Sequence, residues 1–503
     1  MERGRRSAVG LAYSFAGQGA QVLLQVVVFV VLARLLAPED FGLVAASLVV
    51  VNVGMLLATA GLRTALVQLP AMEAAHLRTA MSVQLVLACS VFGSVTLGAP
   101  ALADLFRMPD LVPVLQLMAL AHLVRCFALG DAVLLREQRL KELAGIEVGC
   151  YALGFGVVTV VLAGAGAGVW AVVVGHLVQS VLRTSALWWR SGMSPRLGAS
   201  PRHARELLRI GAGSTLAQGA DILAWEGDNF VVGRWLGAGA LGFYERAYRL
   251  MIVPAGLFGQ SMWNVLFPQM SRGQDDRERL RRLFTFSTAA MALLTLPLAV
   301  LLSLEAQELV ALVLGPQWEP LEQVFQVLVF AVFFRASFYV TDSLIVATGH
   351  VYRHAARRLL FAVTVIGGAL LGQRWGLQGV AACVLLALAL NFVVMVRLSL
   401  ELLELPWHRY LLAYVPAVQV CAAVAVVVVP AVLALRALDL PALVVAAGGC
   451  AGALLGALGA VRVAAAAGRG GALVAFVEDV GRVALRGGAP AWLVPPRPAE
   501  AAA

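Results

Sequence analysis

The chain has 503 residues, 61% of them hydrophobic and only 13% charged, with a mean hydropathy of +0.86. That composition excludes a soluble globular protein, because runs such as 22–36, 41–57, 411–435 and 442–461 are long enough to cross a bilayer core of about 30 Å as helices. The formal net charge of +9 comes from basic residues spread over short loops, which argues for topology signals and contact with anionic lipid rather than a nucleic-acid partner.

Backbone polar groups in lipid must bond internally, and no period-2 alternation is present, so the spans are helices and the fold class is all-α. Hydropathy predicts a polytopic membrane protein of about fourteen transmembrane helices, near 11–35, 41–61, 79–102, 112–134, 146–164, 168–189, 210–234, 241–267, 283–304, 321–347, 358–374, 376–397, 410–435 and 441–462. The first run follows Arg3, Arg5 and Arg6 but has no small-residue cleavage site before Ala37–Asp40, so it is expected to stay as a retained helix. Beyond 466 the tail is rich in Gly, Ala and Pro and expected to be partly disordered, with an amphipathic stretch at 472–485.

One segment occurs twice. Residues 14–42 and 214–242 align without a gap and share Ser14/Ser214, Gln18/Gln218, Gly19/Gly219, Ala20/Ala220, Leu23/Leu223, Val31/Val231, Arg34/Arg234, Leu36/Leu236 and Gly42/Gly242. The offset of 200 places span one on span seven, and an even number of spans per unit gives both copies the same orientation. Two parallel six-helix lobes follow, expected at 8–189 and 210–400, with two additional transmembrane helices at 410–462 and a cytoplasmic tail at 466–503. Arg125 in span four lines up with Arg335 in span ten at offset 210.

The basic residues report the orientation. The N-terminus, the even-numbered loops and the tail hold 28 of them, and the odd loops only five: Arg34, Arg107, Arg234, Arg374 and Arg436. The positive-inside rule then places both termini in the cytoplasm. Six cysteines lie singly in apolar spans and read as small packing residues, so no disulfide framework or metal site is expected. Trp188, Trp189, Trp318 and Trp407 read as interfacial anchors.

No catalytic motif or long outward loop is present, which argues against an ATP-driven pump and most glycosyltransferases. What stands out is charge within spans, where a central charge costs about 2.5–3.5 kcal/mol or more and normally faces protein or a watery cavity. Arg125 and Asp131 lie in span four, Asp221, Glu226 and Asp228 in span seven, Glu245, Arg246 and Arg249 in span eight, Arg335 and Asp342 in span ten, and Arg183 near the inner end of span six. Depth along the helices makes a Glu226–Arg249 or an Asp228–Arg246 pair possible. Arg125, Arg335, Arg246 and Arg249 are the candidates for binding an anionic cargo, since arginine suits bidentate phosphate contact. Asp221, Glu226 and Asp228, which replace Gln21, Val26 and Val28 of the first copy, are the candidates for coupling-ion binding.

The stretches LARLLAPEDFGLVAAS (32–47), GLRTALVQ (61–68), LLREQRLKELAGIEV (134–148), DNFVVGRWLGAGALGFYERAYRL (228–250) and LFPQMSR (266–272) resemble bacterial polysaccharide-biosynthesis transporters. These are the lipid-linked oligosaccharide flippases of the multidrug/oligosaccharidyl-lipid/polysaccharide exporter superfamily. The resemblance covers roughly residues 8–400. It implies two lobes around a central cavity that alternates in access, and a polyprenyl-diphosphate-linked oligosaccharide as substrate, moved across the bacterial inner membrane for exopolysaccharide, capsule or O-antigen assembly. It further implies membrane lipids, a polysaccharide polymerase and chain-length machinery as partners, H+ or Na+ as candidate coupling ions, and no metal, other cofactor or nucleic acid. Two alternatives stand beside it: a cation-coupled antiporter of the same superfamily, and a membrane-embedded polymerase or ligase.

Overall fold

The computed structural model describes Gly19, residues 21–192 and residues 196–466, apart from the side chains of residues 351, 352, 354, 355 and 464–466. The expectations for the start of span one and for the tail at 466–503 fall almost wholly outside the described residues. Among those residues every regular element is helical. Nine helices among the described residues are long and apolar enough to cross a membrane, or eleven if two bent pairs are each one span.

The fourteen expected spans and the observed helices differ for three identifiable reasons. Helix α1 is described only over Gln21–Leu35. Spans seven and eight run together in one 72-residue helix, Pro201–Arg272, and spans eleven and twelve in one 48-residue stretch, Ala356–Leu403. At 1.5 Å per residue, 72 residues extend about 108 Å, several times a bilayer core, so this helix cannot be a single straight span. Its break is Gly237, whose φ of 90° and ψ of 178° lie outside the helical region. Only glycine takes that conformation at little cost.

The chain divides into two compact units. The first comprises the described residues of Met1–Arg246 together with Val313–Trp318 and Arg358–Cys383. Its elements are α1, α2 (Pro38–Thr59), α3 (Leu62–Gln68), α4 (Ala74–Phe106), α5 (Leu111–Arg125), α6 (Gly130–Arg136), α7 (Leu140–Cys150), a π turn (Tyr151–Val157), α8 (Val158–Gly164), α9 (Val169–Ser191), the first part of α10 (Pro201–Arg272) and, from the later segment, most of α15 (Val351–Gly372). Helices α5 and α6 bend by 45° at residues 126–129, so span four is broken near its polar residues.

Packing in this unit follows from small residues and buried leucines. Leu62, Leu66 and Leu69 pack with Ala80, Met81, Leu129, Ala132 and Leu207. Arg136 closes the carboxyl end of α3, donating through Nη1 to Leu66 O at 3.2 Å and through Nη2 to Pro70 O at 2.8 Å. A helix end leaves its last carbonyls without intrahelical partners, and one guanidinium satisfies several here. Trp318 corrects the anchor reading. It is fully buried, donates through Nε1 to Ala33 O at 2.8 Å, and stacks obliquely on Phe41, so it is a core residue rather than an interfacial one.

The second unit comprises Ala247–Leu312, Glu319–Arg357 and the described residues of Val384–Ala503. It holds the end of α10, α11 (Arg277–Leu304), α12 (Ala306–Val313), α13 (Glu322–Leu328), α14 (Ala331–Ala347), most of α16 (Gly376–Leu403), α17 (Trp407–Leu412), α18 (Val415–Ala437) and α19 (Ala442–Ala466). Residues 316–328 and α14 are the second pair bent by 45°. The Asp276 side chain caps α11, accepting from the Arg279 N–H at 2.9 Å.

The two added helices pack as valine ridge into glycine groove. Val420, Val424, Val428 and Val432 recur every fourth residue on α18 and are all buried. On α19, Gly452 lies against Val428 and Gly456 against Val424, and Gly448, four residues earlier, against Leu435, a small-residue spacing that lets membrane helices approach closely. Arg436 at the end of α18 pins the hairpin to α12 through a bidentate pair with Glu308, both bonds at 2.7 Å.

Candidate functional site

The bend in span four gathers a charged cluster within the first unit. Asp131, at the start of α6, is 8% exposed and lies 2.9 Å from Arg63 Nε and 3.4 Å from Arg183 Nη2. Arg183 on α9 also meets Glu147 on α7, through Nη2 at 2.7 Å and Nε at 2.9 Å. Two arginines and two carboxylates thus neutralise one another.

Arg125 is the surplus positive charge. It is the last residue of α5, half-buried at the break, and makes no hydrogen bond or ion pair with another described residue. Arg183, Glu147 and Asp131 are close enough to act on it electrostatically without contact. Two histidines flank it. His122 is fully buried and its ring nitrogens lie 2.9 Å from Ala119 O and 3.1 Å from Val51 O. His176 on α9 lies within electrostatic reach of both Arg125 and His122, and its Nε2 has no hydrogen-bond partner among the described residues. The arrangement can receive an anion: a guanidinium already held away from bulk water costs less to desolvate further, and its donors are uncommitted.

The other candidates have protein partners. Arg335 on α14 donates through Nη2 to the Tyr248 hydroxyl, with its guanidinium carbon 5.5 Å from the centre of that ring. Arg249, one residue further on α10, is exposed. Both belong to the second unit. Arg246, in the first unit, sits in an aromatic box, its guanidinium carbon 4.8 Å from the ring centre of Phe29 and 4.1 Å from that of Phe41. Its Nη2 pairs with Glu245 at 2.6 Å. Those contacts hold α1 and α2 to α10 through cation–π attraction.

Among the three acids of the second repeat, Asp221 pairs with Arg358 at 2.7 Å. Glu226 accepts from Asn52 Nδ2 at 2.8 Å and from Asn229 Nδ2 at 3.1 Å. Asp228 is 2% exposed and accepts from the Tyr244 hydroxyl at 2.8 Å and the Asn229 N–H at 2.9 Å. Sequence reasoning missed Glu147, His122, His176, Asn52 and Tyr248. For Glu147 a signal existed: an acid near the inner end of one apolar span faces an arginine at the same depth in the next.

Comparison with known proteins shows the family and the fold. A model of a family described as "Polysaccharide biosynthesis protein" matches residues 31–323, more than half of the chain. The succinoglycan biosynthesis transport protein ExoT of Rhizobium meliloti (strain 1021) is 30% identical over 307 residues, 59% of this chain and 60% of that protein, so the match leaves two fifths of that relative unspanned. The lipopolysaccharide biosynthesis protein WzxC of Escherichia coli (strain K12) is 27% identical over 400 residues, 78% of this chain and 80% of that one. Among solved structures, the lipid II flippase MurJ in an inward closed conformation superposes with a TM-score of 0.72 at 12% identity, covering 89% of this chain and 98% of its own. A multidrug resistance MATE family transporter of the MOP superfamily gives 0.60 at 15% identity, covering 76% and 94%. At these identities the two structures report a shared fold.

Proposed function

The chain belongs to the polysaccharide biosynthesis protein family, and we propose that it is a flippase that moves a polyprenyl-diphosphate-linked oligosaccharide across the bacterial inner membrane. The single observation that carries the reading is Arg125, a half-buried guanidinium with no partner among the described residues, set at the break of span four beside Arg183 and two histidines. A diphosphate is the group such a site suits, because it supplies the negative charge and the paired acceptor oxygens that Arg125 does not receive from Asp131 or Glu147. The names of ExoT and WzxC, a succinoglycan biosynthesis transport protein and a lipopolysaccharide biosynthesis protein, support a sugar cargo.

In this reading the lobes at 8–189 and 210–400 alternate access across the membrane, with both termini cytoplasmic as the arginine count indicates. Arg335, held by Tyr248, and Arg249 are the second lobe's own candidates for cargo contact, while Arg246 serves the scaffold. Coupling to H+ or Na+ through Asp221, Glu226 or Asp228 requires that an ion displace or share the donors these carboxylates already have. A polymerase and its chain-length machinery would take the product on the far side.

The experiment is deletion of the gene in its host. The reading requires lipid-linked repeat units to accumulate on the cytoplasmic leaflet while their synthesis continues. If repeat-unit synthesis itself stops, the protein is an enzyme of assembly and the reading falls.

A further inference from the structure

The corner between α3 and α4 and the start of α10 bring together two glutamates and two histidines that the transport reading does not use. They come as two complementary pairs in sequence, Glu73-x-x-His76 and His203-x-x-Glu206, each opening a helix so that its members share one face. One ligand atom from each of Glu73, His76 and His203 lies within 4.8 Å of the others. All four residues belong to the first unit.

The hydrogen bonds around the two rings prepare them for a metal. His76 is 5% exposed; its Nδ1 accepts the Glu73 N–H at 3.2 Å, and its Nε2 faces Glu206 Oε2 at 3.4 Å. A neutral ring that accepts at Nδ1 carries its proton on Nε2, pointing at the carboxylate. His203 Nδ1 lies 2.8 Å from Ser200 Oγ, and its Nε2 lies 4.0 Å from Glu73 Oε2. With its proton directed to Ser200, His203 presents a lone pair at Nε2. An imidazole whose second nitrogen donates to a carboxylate or hydroxyl is the usual supporting arrangement of a metal-bound histidine. The rings already stand edge to face with centres 4.3 Å apart.

We propose that Glu73, His76 and His203 bind one divalent transition-metal ion of the zinc class, with Glu206 and Ser200 orienting the two imidazoles. Zinc bonds of about 2.0–2.2 Å to nitrogen and oxygen put tetrahedral ligands about 3.3 Å apart, so the three groups close by roughly an ångström on binding. Glu73 supplies that movement against the two rings, since its side chain is 68% exposed. The Glu73 N–H gives up its bond to His76 in exchange for the metal, and the fourth position is left to water. The surrounding backbone is firmly packed: Leu207 is fully buried beside Leu66 and Leu69, and the Gly198 N–H donates to Ser82 Oγ at 3.0 Å. An ion here would clip the loop before α4 to residues 196–203, the segment that joins the two halves of the duplication.

The test uses the full-length protein in detergent, purified on a tag without histidine and stripped with a chelator, then titrated with Co2+ and Zn2+. The expected result is one Co2+ per chain with the intense visible absorption of a tetrahedral site, displaced by Zn2+. At least a tenfold loss of affinity is expected in His203→Gln and in Glu73→Gln. The second variant changes an exposed loop residue and guards against a folding defect. Zn2+ should also slow tryptic cleavage after Arg196 and Arg202, both exposed, several-fold in the wild type and not in His203→Gln. Absence of stoichiometric binding at micromolar metal, or binding that survives both substitutions, overturns the proposal.

Discussion

Gly42 and Gly242 make the same contact with their numbers exchanged. A Cβ on Gly42 would lie 1.8 Å from the carbonyl oxygen of Ala238, and one on Gly242 would lie 1.9 Å from that of Pro38. Ala238 is the counterpart of Pro38 at the offset of 200, so each copy of the repeated segment presses its glycine onto the other copy's backbone. Residue i touching j′ while i′ touches j is the signature of an isologous, two-fold contact. Both glycines are conspicuous in the sequence as identities, but only the fold shows that they face one another.

Because backbone atoms and not flexible side chains occupy the space, alanine at either glycine must push the helices apart. Gly42→Ala and Gly242→Ala should each cost about 1–3 kcal/mol, the range for overpacking a tight interface. The measurement is thermal unfolding of the detergent-purified variants. A pair of alanines tolerated without loss would show that the helices separate easily there.

Arg125 and Arg183 should separate in their effects. Arg125→Ala removes a guanidinium that bonds to no other described residue, so membrane abundance and melting temperature should stay within error while transport falls at least tenfold. Arg183→Ala leaves Glu147 and Asp131 short of a partner in a low-dielectric site, at about 3 kcal/mol, and should lower abundance as well. Quantitative immunoblotting beside a lipid-linked oligosaccharide flipping assay distinguishes them.

Arg136 is expected to resist conservative replacement. Its planar fork reaches the carbonyls of Leu66 and Pro70 from separate nitrogens, which a lysine ammonium cannot reproduce. Arg136→Lys and Arg136→Ala should both destabilise the protein, by about 2 kcal/mol for the alanine. Hydrogen exchange should rise selectively over residues 62–70.

Glu305, between α11 and α12, predicts a pH dependence. It is 5% exposed, packed against Gly449, and faced by Cys450 Sγ at 3.9 Å from Oε2. Burial, with the nearby charge of Glu308, pushes its carboxyl up to about 7. An acid whose folded pKa is raised binds more protons folded than unfolded, so its contribution is fully present below about 4.5 and is lost as pH rises to about 7. Glu305→Gln should therefore raise stability at pH 8, on the order of 2 kcal/mol, and leave it little changed at pH 4.5. An equal effect at both pH values would place the carboxyl in its ordinary range.

Charge reversal tests the Asp221–Arg358 pair. Asp221→Arg and Arg358→Asp should each lower abundance, and the double variant should recover part of the loss, by about 1 kcal/mol of coupling in a double-mutant cycle. Non-recovery would mean that the two residues act separately.

The sequence by itself determined the all-α membrane class, the duplication, the alternation of basic loops and the list of charges inside spans. All four depend on local quantities: hydropathy over a window, identity at a fixed offset, and the penalty for charge in hydrocarbon. Tertiary structure alone decided what those charges do. Arg125 and Arg246 are both arginines in apolar spans, yet one has no partner among the described residues at a helix break while the other is enclosed by Phe29, Phe41 and Glu245. Trp318 looks like an interfacial anchor by composition and is a core residue because Ala33 O and the Phe41 ring happen to meet it there. The same holds for Glu73, His76 and His203, which lie up to 130 residues apart and acquire a shared chemistry only when α4 and α10 start side by side. Partner choice depends on which helix faces which, and that is set by close contacts such as Gly42 on Ala238, where the absence of a side chain rather than its presence carries the information.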